Sequence, residues 1–270
     1  MAGFKTKPRQ FESWSNSRWN DYAQCPARAH YKHIQKLPEP KSIYMDRGIQ
    51  IAIIEEQFFK GEIKTLPTHK GRDKVMGVGN HQTPEKDWPK WNGKLAEAVR
   101  NGLAIHHVAV PWLKEAKKQK DMFCEENWGF SKEWQPVDYF DWKNCWLRVK
   151  VDVGWGHLTS TVVHLRDNKT GKYSEYDVEK YMDQLRLYAA AGAARFPHVT
   201  EFHVQLWFTD LGLQYPAQPL VITRAEALKL QKHFTKQVVP MFNDTRFDPT
   251  PNRGCTFCHF RKSNNGPCKY

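Results

Sequence analysis

The sequence predicts a mixed α/β fold, and three observations carry that expectation. Apolar residues recur at helical spacing over 44–59 and again over 93–119. Near residue 121 the period changes to two, giving the strand candidates DMFCEENWGF (121–130), CWLRVKVDVGW (145–155) and STVVHLRDNK (160–169). Beyond them a helical stretch (176–195), a strand EFHVQLWF (201–208) and a second helical stretch (223–243) alternate before a loop-rich tail with three cysteines.

Taken in order, residues 13–35 read as two short helices broken at Cys25-Pro26. Ser15 or Ser17 is the N-cap, because a hydroxyl there can accept from the free amides of the first turn. KLPEPKS ends that segment, and a loop rich in Gly, Pro, Lys and His runs from the 44–59 helix to about residue 90. The 93–119 helix is expected to bend or break at Pro111, since proline removes a helix hydrogen bond. Residues 209–222 are read as a loop. These boundaries give an N-terminal helical segment (1–43), a helical region (44–120), an α/β core (121–240) and a cysteine tail (241–270) within one compact unit.

Composition narrows the class of partner. The 270 residues hold 41 Lys and Arg against 29 Asp and Glu, a net charge of +12 that favours an anionic partner such as nucleic acid or an acidic membrane. Ribosomal and heparin-like binders share such a charge. Aromatics make up 13% of the chain, 11 of them Trp, and aromatic faces can stack exposed bases. No apolar run nears the roughly 20 residues needed to cross a bilayer, and MAGFKTKPRQFESW lacks the apolar middle of a signal peptide. The expectation is a soluble cytoplasmic protein, in the host cytoplasm if viral. Six cysteines then suit a metal or cluster better than a disulfide framework.

The chemistry concentrates where one strand ends. In RDNKTGK, Asp167 and Lys169 are two residues apart and so share a strand face. In the preceding strand, Trp146, Arg148, Lys150 and Asp152 share one face and Leu147, Val149, Val151 and Val153 the other. If the two strands pair through the turn near 154–159, Asp152 and Asp167 converge, and two like charges there call for a cation. Mg or Mn binds carboxylate and carbonyl oxygens, so the Asn168 carbonyl is a further ligand candidate. Lys169 is placed to hold a nucleophile or balance developing charge. The bland alternative is an exposed Asp-Lys pair before a Thr-Gly turn.

The order of these groups resembles the RecB-type nucleases of the PD-(D/E)XK superfamily. The matching residues are Glu125 in EENWGF, Asp152 in VKVDVGW, Asp167 and Lys169 in RDNKTGK, and Gln184 with Tyr188 in DQLRLYAA. Glu125 is preferred to Glu126 because an aromatic, Trp128, follows three positions later. The resemblance implies a PD-(D/E)XK core with a central mixed sheet flanked by helices, and catalytic and Mg- or Mn-binding roles for Glu125, Asp152, Asp167 and Lys169. Gln184 and Tyr188, one helical turn apart, would face a substrate phosphate or base.

Cys255, Cys258 and Cys268 form a C-x2-C-x9-C arrangement, with Cys25 far upstream. This is similar to the iron-sulfur staple of AddB-type and CRISPR-associated RecB-like nucleases, which implies a 4Fe-4S cluster on Cys25, Cys255, Cys258 and Cys268 that joins the two ends of the chain. Four thiolates also make a structural zinc site, although only one close Cys-x-x-Cys knuckle is present. Cys124 and Cys145 remain as buried small hydrophobes. In one place the pattern departs. Where these nucleases commonly read Arg-Gly-x-x-x-His, with the His a metal ligand, RGIQIAIIEE has Ala52, and Glu55 and Glu56 stand one turn later.

The resemblance implies a metal-dependent DNA nuclease, an exonuclease of recombination, end processing or phage DNA metabolism. Its substrate would be single-stranded DNA or DNA with free ends, with a recombination or CRISPR-type protein partner and no membrane. The alternatives are a non-catalytic, cluster-stabilised DNA-binding protein of the same fold and an RNA-binding basic protein with a zinc tail.

Overall fold

The computed structural model describes residues 10–40, 43–69, 103–171 and 173–270. The expected loop beyond residue 69 and positions 93–102 of the expected long helix lie outside these residues. The described elements include a six-stranded mixed sheet in the order β4-β3-β5-β6-β7-β8. Its strands are β3 (Phe123–Phe130), β4 (Pro136–Val137), β5 (Leu147–Trp155), β6 (Val162–Lys169), β7 (Glu201–Phe208) and β8 (Leu213–Thr223). A second, two-stranded parallel sheet pairs β1 (Thr68–His69) with β2 (Ile105–His106). By contacts the chain divides into two units, the larger Lys41–Asn127 with Lys150–Leu228, the smaller Met1–Pro40, Trp128–Val149 and Lys229–Tyr270.

In the larger unit, β6 and β7 pair in parallel along their full length. Parallel neighbours need a crossover, and α5 (Glu175–Arg195) supplies it. β5 and β6 pair antiparallel through Val153↔Arg166, Gly154↔Leu165 and Trp155↔His164. Helices α3 (Ile43–Phe59) and α4 (Val110–Lys117) share a buried apolar cluster with the sheet, in which Ile51, Ile54, Phe58, Leu113, Val153 and Trp207 take part. At about 25 cal/mol per Å² of apolar surface removed from water, such side chains each contribute on the order of 2 kcal/mol.

In the smaller unit, α1 (Asn16–Gln24) begins at Ser15, whose hydroxyl accepts from Arg18 N at 3.3 Å. Cys25 interrupts the helix, Pro26 opens α2 (Pro26–Ala29), and a single wide turn follows over His30–Ile34. Trp14 adds beside Leu147, donating its amide to Trp146 O at 2.8 Å and accepting from Arg148 N at 2.9 Å. The indoles of Trp14, Trp134 and Trp146 pack edge to face beneath Phe234 and Phe242. Helix α6 (Arg224–Gln237) begins in the larger unit, and α7 (Val239–Asn243) follows it here. The Tyr22 hydroxyl bonds Asp244 Oδ2 at 2.9 Å, fastening α1 to the chain after α7.

Three expectations are corrected. Residues 209–222 are not all loop, because Leu213–Thr223 forms β8 at the edge of the sheet. Its Pro216 and Pro219 hid it, yet an edge strand tolerates residues without an amide. At the bulge between Val204 and Leu206, the side-chain amide of Gln205 donates to Pro216 O at 2.9 Å. Pro111 neither bends nor breaks a helix but lies in the first turn of α4, where its missing N–H costs nothing, and Ile105–His106 before it is strand. The helical stretch 223–243 divides at Val238, with Pro240 in the first turn of α7.

Candidate functional site

The acidic residues meet where β5 and β6 separate. Asp152 and Asp167 stand one residue beyond the Val153↔Arg166 pair, and there the Asn168 amide donates to the Asp152 carboxylate, Oδ2, at 2.8 Å. A side chain thus takes the donor that a continuing ladder would have used, and the strand ends open a space lined by carboxylates.

Asp167 sits in a closed ring of polar contacts. Its Oδ2 lies 2.6 Å from Lys169 Nζ, and its Oδ1 accepts from the Tyr188 hydroxyl at 3.1 Å. Gln184 completes the ring, donating to Tyr188 at 3.0 Å and accepting from Lys169 at 3.2 Å. Gln184 and Tyr188 lie one turn apart on α5, and Tyr188 is 1% exposed, so this helix face holds the Asp-Lys pair. Asn168, between them, turns to the other side of the strand, where its Nδ2 donates to Glu55 Oε2 at 2.7 Å.

Crowding of carboxylates sets the protonation states. Burial, and then the charge of Asp167, pushes the Asp152 carboxyl well above its ordinary range. Glu55 on α3 is buried and is pushed up to about 7, chiefly by burial and with Asp210 and Glu125 adding repulsion. Burial pulls the Lys169 ammonium down, but Asp167 and Asp152 together outweigh it and leave its pKa raised. Burial, Asp152 and Asp167 raise the Tyr188 phenol well above its usual value, so it acts as a neutral donor.

Glu125 is on β3 with a left-handed φ of 54°, a conformation that costs a non-glycine residue about 1 kcal/mol or more, and it pairs with Lys150. Glu126 ion-pairs instead with Arg195 at 3.6 Å. On α3, Gly48 lies so near the end of β6 that a Cβ there would be 3.0 Å from Thr170 Oγ1, and Glu55 reaches Asn168. Ala52 falls between these two on the same helix face. Glu56 turns away to Lys60. Arg47 clamps the fully buried Asp210 through 2.5 and 2.9 Å bonds, and Asp210 accepts the Gly171 amide at 2.7 Å. The brace ties α3 to the turn after β6; nothing in the sequence marked Asp210.

Mg or Mn fits this chemistry. Glu55 Oε1 and Asn168 Oδ1 are buried without a hydrogen bond, and acceptor oxygens so left are what a hard cation satisfies. Among the described residues no three His, Cys, Asp or Glu side chains are gathered closely enough to ligate one ion. Lys150 and Lys169 occupy the carboxylates of Glu125 and Asp167.

A second set of groups lies in the smaller unit. Cys25, Cys255, Cys258 and Cys268 line one pocket, all as free thiols, with Tyr31 and Phe260 on its wall. The amides of Thr250 and Asn252 donate to Cys25 Sγ and Cys255 Sγ, each at 3.4 Å. Asn252 Nδ2 also bonds Gln24 O at 2.9 Å, joining the tail to the end of α1. Burial and then the sulfurs of Cys268, Cys25 and Cys258 raise the Tyr31 phenol, as expected of one ring facing three thiols. Cys145 is buried, with its thiol on Leu147 O at 3.3 Å, whereas Cys124 is half-buried.

These features define an α/β protein with a buried carboxylate-lysine site at the open end of an antiparallel strand pair. The chain belongs to the PD-(D/E)XK nuclease superfamily, whose model matches residues 13–263. No curated protein matches the sequence. A solved structure similar to it is that of a candidate exonuclease from Eubacterium rectale, at 14% identity and a TM-score of 0.45, over 96% of this chain and 89% of that one. Among the described residues no helix is long and apolar enough to cross a membrane.

Proposed function

We propose that this chain is a Mg- or Mn-dependent deoxyribonuclease, an exonuclease acting on DNA that is single-stranded or has free ends, in recombination, end processing or phage DNA metabolism. The observation that carries the reading is the convergence of Asp152, Asp167 and Lys169 beside the buried oxygens of Glu55 and Asn168. Glu125, Asp152, Asp167 and the Asn168 carbonyl would hold the ion, which when bound would polarise the phosphorus centre and lower the pKa of its bound water. Lys169, held as an ammonium, balances charge on the attacked phosphate, and Tyr188 with Gln184 fixes the orientation of the Asp-Lys pair.

Cys25, Cys255, Cys258 and Cys268, which line one pocket, would be the ligands of a 4Fe-4S cluster, and backbone amides aimed at sulfur are among the groups that tune such clusters. A second reading, a DNA-binding protein of the same fold with weak or no cleavage, is favoured by Ala52 and by the lysines paired with Glu125 and Asp167. End-labelled DNA incubated with Mn separates the two. The nuclease reading expects cleavage that Asp152→Ala, Asp167→Ala and Lys169→Ala each abolish while DNA affinity is kept. Cleavage that persists in any one of them would refute the site.

A further inference from the structure

The smaller unit holds a polar cavity of about 160 Å³ lined by Arg18, Lys36 and Arg148, with Glu12 as its one carboxylate among the described residues. Arg18 on α1 and Arg148 on β5 converge on one hydroxyl, donating to Ser13 Oγ at 2.6 and 3.0 Å. Their remaining bonds go to carbonyls, Arg18 to Ser13 O at 3.0 Å and Arg148 to Tyr139 O at 2.9 Å. Neither guanidinium forms an ion pair with a carboxylate among the described residues, and Glu12, which also lines the cavity, bridges to neither. Burial and then the charge of Arg148 lower the Arg18 pKa. Lys36 adds a third charge. Its φ of 54° is a left-handed conformation usually given to Gly or Asn, yet here it carries an exposed, unpaired lysine at the cavity. His33, also in the lining, is already bonded to Asp21 at 2.7 Å.

Beside these cations stands an aromatic loop. Trp142 lines the cavity and is 68% exposed, with Phe140 nearby at 74%. The loop is built rather than slack. Asp138 accepts the Phe140 amide at 2.6 Å, and Asp141 accepts the amides of Lys143 and Asn144 at 2.9 and 3.1 Å. Lys143 Nζ lies over the Trp142 ring, 5.2 Å from its centroid, and adds a further cation beside the exposed indole.

We propose that Arg18, Lys36 and Arg148 bind a phosphoryl group of a single nucleic-acid strand, one of whose bases stacks on Trp142. This rests on the reading of the chain as a DNA nuclease and adds a substrate contact outside the carboxylate site. Paired guanidiniums match phosphate oxygens in geometry as well as charge, and a base on an exposed indole contributes about 1–3 kcal/mol whatever its identity. A terminal phosphomonoester and an internal phosphodiester share this chemistry.

The test is binding of a short single-stranded oligodeoxynucleotide, with and without a 5′-phosphate, to the full chain in EDTA, followed by anisotropy and by Trp fluorescence. Trp142→Ala and Lys36→Gln change exposed side chains and leave the fold intact, as melting would verify. Each is expected to weaken binding about fivefold or more, and Lys36→Gln to lower the slope of log affinity against log salt by about 0.7. Arg18→Gln, checked by melting, is expected to weaken it further. A 5′-phosphate that tightens wild-type binding but not Arg18→Gln assigns the cavity to a chain end; equal binding of both oligonucleotides assigns it to an internal phosphate. If Trp142→Ala and Lys36→Gln bind within twofold of wild type, the proposal falls while the nuclease reading stands. A wild-type chain that binds neither oligonucleotide also overturns the proposal, whereas the nuclease reading falls only if end-labelled DNA is left uncut in Mn.

Discussion

The Tyr188 hydroxyl donates to Asp167 Oδ1 at 3.1 Å from a side chain that is 1% exposed, so a helix residue and a strand residue 21 positions apart form one buried unit. Because Lys169 lies 2.6 Å from the other oxygen, Oδ2, the phenol fixes the orientation of the carboxylate toward the lysine. Tyr188→Phe removes that donor and leaves Gln184 Nε2 without its partner. The expected outcome is a loss of about 1–2 kcal/mol in stability and cleavage reduced roughly tenfold with DNA affinity unchanged. Single-turnover rates across a Mn titration check it, and wild-type rates would exclude a positioning role.

Glu55 supplies a pH prediction. Its folded pKa of about 7 stands above the ordinary 4.5, so the native state holds this proton more tightly than the unfolded chain. Stability is therefore undiminished below pH 4.5 and falls as pH rises through the window from 4.5 to 7. Glu55→Gln removes the buried charge and is expected to stabilise the metal-free protein at pH 8 by up to about 3 kcal/mol, with little effect at pH 4.5. Mn should raise the melting temperature of wild type more than that of the variant. Thermal melts at the two pH values, with and without Mn, decide the matter.

Much of this site was legible because strand alternation is a strict rule. Period two placed Asp152 and Asp167 on the face that Asn168 leaves, and the i, i+4 spacing placed Gln184 and Tyr188 together. Glu55 was visible only as one acid of a pair, since nothing local separates a glutamate buried against Asn168 from its neighbour Glu56, which pairs with Lys60 just past the end of the helix. The Arg47–Asp210 clamp was hidden for a related reason: it joins positions 163 apart, a distance no periodicity spans. Strand β8 was lost to its prolines, whose local preference is overridden at a sheet edge.

The cysteine pocket predicts a coupled loss of colour and stability. Anaerobically purified wild type is expected to show the brown absorption of thiolate-bound iron. Cys25→Ser or Cys268→Ser should abolish it and lower the melting temperature by roughly 10 °C, since segments 243 positions apart lose their common anchor. Cys124→Ser is the control, because its half-buried thiol, pushed up to about 11 chiefly by burial, lies outside the pocket. Colourless protein carrying one zinc per chain would replace the cluster with a zinc site.

Ala52 carries the sharpest expectation. It lies on α3 between Gly48, which closely approaches Thr170, and Glu55, which bonds Asn168, so its Cβ is on the helix face nearest the end of β6. In the family pattern an imidazole at this place would join the carboxylates. Without it Glu125, Asp152, Asp167 and a carbonyl remain, and Lys150 and Lys169 compete for two of those acids. Oxygen ligands alone still bind Mg or Mn, but with lower affinity and a less fixed position. Ala52→His is expected to raise Mn-dependent cleavage by about tenfold or more and to tighten Mn binding measured by calorimetry. Helix packing tolerates the change, since position 52 is only half-buried. Equal cleavage and equal Mn affinity in the two forms would show that position 52 is not a ligand site, and the alignment of RGIQIA with the family's histidine motif would be withdrawn.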